Sequence, residues 1–409
     1  MKLKILTAMI LFLSLSLVSC HQQHTETILQ DNPVEERVVI TLWDYLIEGS
    51  DTSDVIAAYE TIHPHIHINR QYIPFSDIKK KLVYAAALGE MPDIILIDDP
   101  FFQTLAAMDV LFDLTEAVME WHNPQDIFAD IPLNSCTYNG DIFGLPMGVH
   151  NLALFYNQDM LENANLQPPE TWDELLLAAE KLTTEDVAGF KLTAVKNQQS
   201  IYTFLPFLWQ TGSDLETLND GGTLEALQFW KTMIDHGYMP QDILRDNSQT
   251  VMVQFSQGKV AMMVNSSWQV KLLKNFPHLR WGVGKLPGHH YDATSLGSEN
   301  WAITATSSHK EAAWNFLKFT QEKENLVPLL LRTGRLPAQT KLLDEPEWQA
   351  DEHLKVFIDS LDFSRLGDYG VNYPEISVYL QDMLHQSLSG NQPVEEAVDE
   401  AYAKIRPLL

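Results

Sequence analysis

From about residue 37 onward, short apolar runs alternate with amphipathic stretches, and this rhythm predicts strand, helix, strand, helix, strand. Val38 to Trp43 reads as the first strand. Ser53 is placed to cap a helix with Val55, Ala58, Tyr59 and Ile62 on its apolar face, ended by Pro64. Ile66 to Asn69 is a second strand. Ser76 opens a helix carrying Ile78, Leu82, Ala85 and Ala86 and stopped at Gly89. Met91 to Ile97 is a buried strand with Asp98 and Asp99 at its carboxyl end. Such an order is that of a mainly parallel sheet covered on both faces, in which ligands gather beyond the carboxyl ends of the strands.

A second unit follows Gly148. Leu152 to Tyr156 reads as a strand, and Thr171-Trp172-Asp173-Glu174 as a capping box starting a helix to about Leu182. A helix from Thr223 carries Leu227, Trp230 and Ile234. Val260 to Val264 and Trp281 to Val283 are short strands. Ser308 to Glu311 reads as a second capping box ahead of Ala312 to Phe319, and the tail from about Ser377 is helical. After the strand at Val260, Asn265, Ser266 and Ser267 read as a polar turn delivering the ring of Trp268. No internal repeat stands out.

The first twenty residues break this rhythm. Lys2 and Lys4 precede an apolar stretch from Ile5 to Leu13, too short for an ordinary spanning helix, and Leu17-Val18-Ser19-Cys20 closes it. That closing resembles the lipobox of bacterial lipoproteins, in which the cysteine carries the lipid anchor. Residues 1–20 are therefore expected to be a lipoprotein signal peptide with Cys20 lipidated, and 21–36 a polar tether. Cys136 alone remains, so no internal disulfide can form, and a buried thiol is expected. The chain has 27 Lys plus Arg against 55 Asp plus Glu, a formal charge of −28. An acidic surface without a basic stripe disfavours nucleic acid as a partner.

Several blocks together carry a resemblance. They are Phe143-Gly144-Leu145-Pro146, Leu154 to Asn157, Pro168 with Thr171-Trp172 and Glu174-Leu175, and Phe255 with Gly258-Lys259 and Ala261-Met262 running to Ser267-Trp268. The helix from Ala312 to Phe319, Leu336-Pro337 and a late helix near Glu395 to Ile405 continue the order. The whole resembles the extracellular solute-binding proteins of bacterial sugar ABC transporters, the family that includes the maltose-binding protein. The resemblance implies an α/β fold of two lobes, each discontinuous in sequence and joined by several hinge crossings: lobe one at 37–147 plus 290–336, lobe two at 148–289 plus 337–409. It also implies a mono- or oligosaccharide ligand held between the lobes, permease subunits as partners, a monomer, an extracytoplasmic place at the membrane, and no catalysis.

A sugar needs flat rings against its C–H faces and short polar groups for its hydroxyls. On the resemblance, Trp268 is the first candidate for the ring, with Asn265 and Ser267 on hydroxyls. Trp43 and Asp44 end the first strand, and Asp98 and Asp99 end the third; all four are ligand candidates. His150 stands where the maltose-binding protein has a sugar-binding Glu, with Asn151 beside it. Trp209, Trp301 and Tyr373 complete the expected set, while Arg332 and Arg335 could either bridge acids or reach the cleft. The alternatives are a binder of an amine, peptide or polyol phosphate and, less favoured, a glycan-active enzyme, since Asp98 and Asp99 are adjacent on an extended segment and point apart. His63, His65 and His67 invite a metal reading, but surface histidines at a strand edge are expected instead, with no metal and no cofactor.

Overall fold

The computed structural model describes residues 37–367 and 369–409. The signal, tether and lipidation assignments at 1–36 lie outside the described residues. Among the described residues eleven strands are formed: β1 (Val38–Asp44), β2 (Ile66–Tyr72), β3 (Ile94–Asp98), β4 (Thr137–Tyr138), β5 (Asp141–Ile142), β6 (Gly144–Asn157), β7 (Ala188–Lys191), β8 (Val260–Ser266), β9 (Trp281–Gly284), β10 (Thr294–Ile303) and β11 (Ser364–Leu366). β4 and β5 form a small hairpin apart. The rest join in the order β2-β1-β3-β10-β6-β8-β7, with β9 on β6 and β11 on β10.

Two lobes arise because β6 is long enough to serve two sheets. Its first half, Gly144 to Asn151, pairs antiparallel with β10, which pairs in turn with β3. Its second half, Leu152 to Asn157, pairs with β8 and β9. The expectation of a mainly parallel sheet therefore holds only away from the crossing. β1 runs parallel to β2 and β3, β7 to β8 and β10 to β11, but β6 and β10 run antiparallel to each other, β10 antiparallel to β3, and β6 antiparallel to β8 and β9. A strand passing between lobes meets its neighbours in the opposite sense, and local periodicity carries no sign of that.

Alternation along each strand supplies the cores. In the first lobe Ile95 and Ile97 face Leu82 and Phe102 on one side of the sheet. Ile94 and Leu96 turn to the other, into the apolar cluster that holds Tyr59 and Phe316. In the second lobe Leu154 and Met262 pack with Trp172, Phe204 and Trp230. Each such fully buried aliphatic contributes roughly 1.5–3 kcal/mol, and these cores hold the described residues together without a disulfide among them. Cys136 is buried among these side chains, as expected for a small hydrophobe.

Local expectations shift in detail. The helix Ser53–Ile62 buries Val55, Ile56 and Tyr59, while Ile62 is exposed, so its face is rotated from the expected one. Thr52 is its N-cap, and Ser53 is its first residue. The helix Phe75–Leu88 buries Ile78, Leu82 and Ala85 and ends at left-handed Gly89, as read. Thr171 caps Trp172–Leu182 through the Glu174 amide, but Glu174 turns its carboxylate to the amide of Glu170. Ser308 does not cap: the helix Lys310–Gln321 follows His309, whose amide donates to Ser307 Oγ. Asn265 and Ser266 belong to β8, so no three-residue turn precedes Trp268; Ser267 alone separates the strand from the helix Trp268–Leu273. Among the described residues no helix is long and apolar enough to cross a membrane.

Candidate functional site

The parallel strands of both lobes aim their carboxyl ends at one cavity of about 370 Å³. Tyr45 and Leu46 follow β1, Phe75 follows β2, and Asp98, Asp99 and Pro100 close β3. From the other lobe, Thr193 follows β7, while Asn265 and Trp268 come from the end of β8. The crossing strands form the floor, with His150 and Leu152 from β6 and Gly297 and Glu299 from β10. Gln198, Gln199 and Tyr202 enter from the helix Gln198–Gln210. The volume sits at the small end of ligand pockets, which run roughly 300–1,000 Å³.

Trp268 remains partly exposed on this wall. His150 meets its ring edge to face at 4.6 Å, and the Arg335 guanidinium lies 5.3 Å from its centroid. The backbone behind it is tight: a Cβ on Gly334 would lie 2.7 Å from Trp268 Cα. The Trp268 backbone is thus backed closely by Gly334 while the side chain opens onto the cavity. Tyr45 and Phe75, edge to face at 5.2 Å, supply further aromatic surface from the first lobe.

The polar floor is a connected group. Arg335 donates from Nε and Nη2 to Glu299 Oε1 at 2.9 and 2.6 Å, and from Nη1 to the carbonyl of Thr333. Burial pushes the Glu299 carboxyl up, but the Arg335 charge and its hydrogen bonds outweigh this and hold it below the usual range. Glu299 Oε2 is buried with no hydrogen-bond partner among the described residues. Tyr202 Oη lies 2.8 Å from His150 Nδ1 and donates to backbone carbonyls. Burial drives the His150 pKa down to about 4, the nearby Glu299 opposing it, so the ring is neutral at neutral pH. Lys79 pairs with Asp98 at 2.9 Å, and the amide of Ser298 donates to Asp99.

Of the residues singled out in the sequence, Trp268, Asp98, Asp99, His150, Asn265 and Arg335 line the cavity together. The others lie outside its lining. Asp44 is wholly buried and gripped by Arg70, because strand alternation turns it to the side of Ile40 and Leu42. Trp43 faces the opposite side, with Lys81 4.1 Å from its ring centre. Asn151 is buried and donates to the carbonyl of Phe357. Ser267 donates to the Gly334 carbonyl. Trp209 is core, its indole N–H shared between Asp214 and Tyr369, and Trp301 is fully buried against Phe316. Tyr373 is buried and bonded to Gln198, itself a lining residue. Arg332 pairs with Asp54.

Sequence reasoning missed Tyr45, Phe75, Glu299 and Lys271. Tyr45 had a signal, since it is the first residue past a strand that points at the site. Glu299 had none, because its place depends on β10 crossing between lobes. Lys271 Nζ donates to the Arg332 carbonyl at 2.7 Å and so is already engaged.

This geometry has recognisable kin. A family model described as "Bacterial extracellular solute-binding protein" matches residues 54–356. The chain belongs to that family. Among its curated relatives, this extracellular solute-binding protein is 23% identical to the galactooligosaccharide-binding protein of Bacillus subtilis, over 95% of this chain and 93% of that one. It also shares its fold with a solute-binding protein of Thermotoga lettingae bound to α-D-tagatose, at 24% identity and a TM-score of 0.84, covering 91% of this chain and 99% of the other. A maltose-bound T. maritima protein gives 24% and 0.84, covering 91% and 100%. Such relatives are binding proteins rather than enzymes.

Proposed function

We propose that this solute-binding protein captures a mono- or oligosaccharide in the cavity and delivers it to the permease of an ABC importer, without chemistry. The observation that carries the reading is the meeting of the Trp268 ring with Asp98, Asp99, Asn265 and Glu299 from both lobes in one cavity. A sugar face stacks on the indole, and its hydroxyls donate to the carboxylates. Because each lobe contributes contacts, the ligand favours a state in which both touch it, and that differential drives closure.

The balance of charge favours a neutral polyol over an amine or a phosphate. Asp98 has Lys79, and Glu299 has Arg335, so the acids do not converge on one vacant cationic centre. Arg335 is paired with Glu299, and Lys271 is the one further Lys or Arg of the lining, set against Asp98, Asp99 and Glu299, a balance that disfavours a phosphate. The lobes we assign are 37–147 plus 290–336 and 148–289 plus 337–409. The protein acts as an extracytoplasmic monomer, tethered through a lipidated Cys20; the Leu17 to Cys20 pattern supports the anchor.

The test is a tryptophan-fluorescence titration of the unlipidated mature protein against a sugar panel. A saturable change with one sugar is expected. Trp268→Ala should fold and weaken that sugar at least tenfold. A panel without response, together with an unfolded Trp268→Ala variant, would return the ring to a structural role and sink the sugar reading.

A further inference from the structure

Away from the cavity, in the second lobe, three side chains from distant parts of the sequence converge. Glu225 lies in the first turns of the helix Gly221–Asp235, and His289 and His290 lie in the loop between β9 and β10. One ligand atom from each falls within 4.8 Å of the other two. His289 Nε2 is 2.9 Å from Glu225 Oε1, and His290 Nε2 is 3.6 Å from Oε2. Ligand atoms around a tetrahedral ion bound at 2.0–2.1 Å stand about 3.3 Å apart, so the two spacings bracket what a zinc ion asks. None of the three lines the cavity.

The loop is held ready rather than free. His289 stacks on the indole of Trp172 at 4.4 Å with only 9° between the planes. Trp172 Nε1 donates to Gln210 Oε1, and the amides of His290 and Tyr291 both donate to the Gln210 carbonyl. Gly288 exchanges backbone bonds with Glu170 and Trp172 on the flank. Both imidazoles therefore approach the carboxylate from a backbone already pinned, which lowers the entropy cost of gathering ligands. The outer sides of Glu225 and His290 are open, at 45% and 57% side-chain exposure, leaving room for water.

We propose that Glu225, His289 and His290 form a surface site for a borderline divalent cation such as Zn²⁺, with two imidazoles and one carboxylate as protein ligands and water completing the shell. Nitrogen and oxygen donors in this ratio suit zinc, nickel or copper rather than calcium or magnesium. This departs from the expectation of no metal drawn from the sequence. Glu225 and His289 are 64 positions apart, a separation that no spacing motif reveals. The His63, His65 and His67 run, by contrast, does not gather: His67 bonds to Glu60, and the three do not form a ligand set. On binding, the ion takes the place of the His289–Glu225 hydrogen bond: the proton that His289 Nε2 donates to Glu225 leaves that nitrogen through solvent, the Nε2 lone pair goes to the metal, and the neutral ring carries its one proton on Nδ1.

Calorimetric titration of the EDTA-stripped mature chain, carrying no histidine tag, with Zn²⁺ alone tests this. One saturable site is expected, at least tenfold weaker in His290→Ala and in Glu225→Gln. Both positions are exposed, so melting temperatures in EDTA should match the parent. The sugar titration should be unchanged in both variants, which separates this proposal from the cavity reading. Absence of saturable uptake, or uptake that neither substitution weakens, overturns it.

Discussion

His150 shows how a single side chain can carry two burdens. It stands on the cavity floor, bonded to Tyr202 and set edge-on to Trp268, yet burial is its dominant influence and lowers its pKa to about 4. An unfolded histidine titrates near 6.5, so between those values the unfolded chain binds more protons and stability falls as pH falls. Acidification from neutral to about pH 4.5 should therefore cost on the order of 2–3 kcal/mol through this residue. Urea unfolding at the two pH values measures it, and His150→Gln should flatten the dependence. A slope identical in the variant would mean that other groups carry the acid sensitivity. Gly297 protects the same ring, since a Cβ there would lie 2.2 Å from His150 Cε1.

At the scale of elements, the turn from the helix Lys323–Thr333 into Arg335 sets where Trp268 can sit. Gly334 has a φ of 72°, a left-handed conformation that glycine adopts without penalty, and its vacant Cβ position abuts Trp268. Gly334→Ala should lose about 1–3 kcal/mol from backbone strain and contact together. Because the strain falls against the Trp268 backbone and Cβ, and beside Arg335, sugar affinity should fall as well. Thermal melting and the fluorescence titration on one preparation read the two effects. Full stability in Gly334→Ala would show that the helix end relaxes and that this contact does not position the indole.

For the whole molecule, closure by ligand is a linkage effect. A sugar that binds only the folded protein stabilises it by about 2.7 kcal/mol when present at a hundred times its dissociation constant. A rise in melting temperature that scales with the logarithm of sugar concentration is the expected result. In Trp268→Ala the same rise should require correspondingly more sugar. A melting temperature indifferent to a sugar that changes the fluorescence would mean the signal does not report binding to the folded state.

Much of the strand and helix placement was written in the chain because periodicity is local: Val38, Ile66 and Val260 open their strands as read, while the run read from Met91 becomes a strand only at Ile94 and β10, whose polar residues interrupt any apolar run, was not read. The small-polar approach to Trp268, the acids closing β3 and the place of His150 after Pro146 also marked residues that face the cavity. The structure alone decided which side each neighbour takes. Asp44 and Tyr45 are adjacent, yet one, the last residue of β1, is buried on Arg70 and the other, the first residue past it, lines the cavity. Trp209 and Trp301 look like Trp268 in sequence, but packing places them in the cores. Glu299, Arg335 and the Glu225–His289–His290 cluster depend on strands crossing between lobes and on loops far apart in the chain. Contacts of that range arise only when the whole chain has folded, and no window along it contains them.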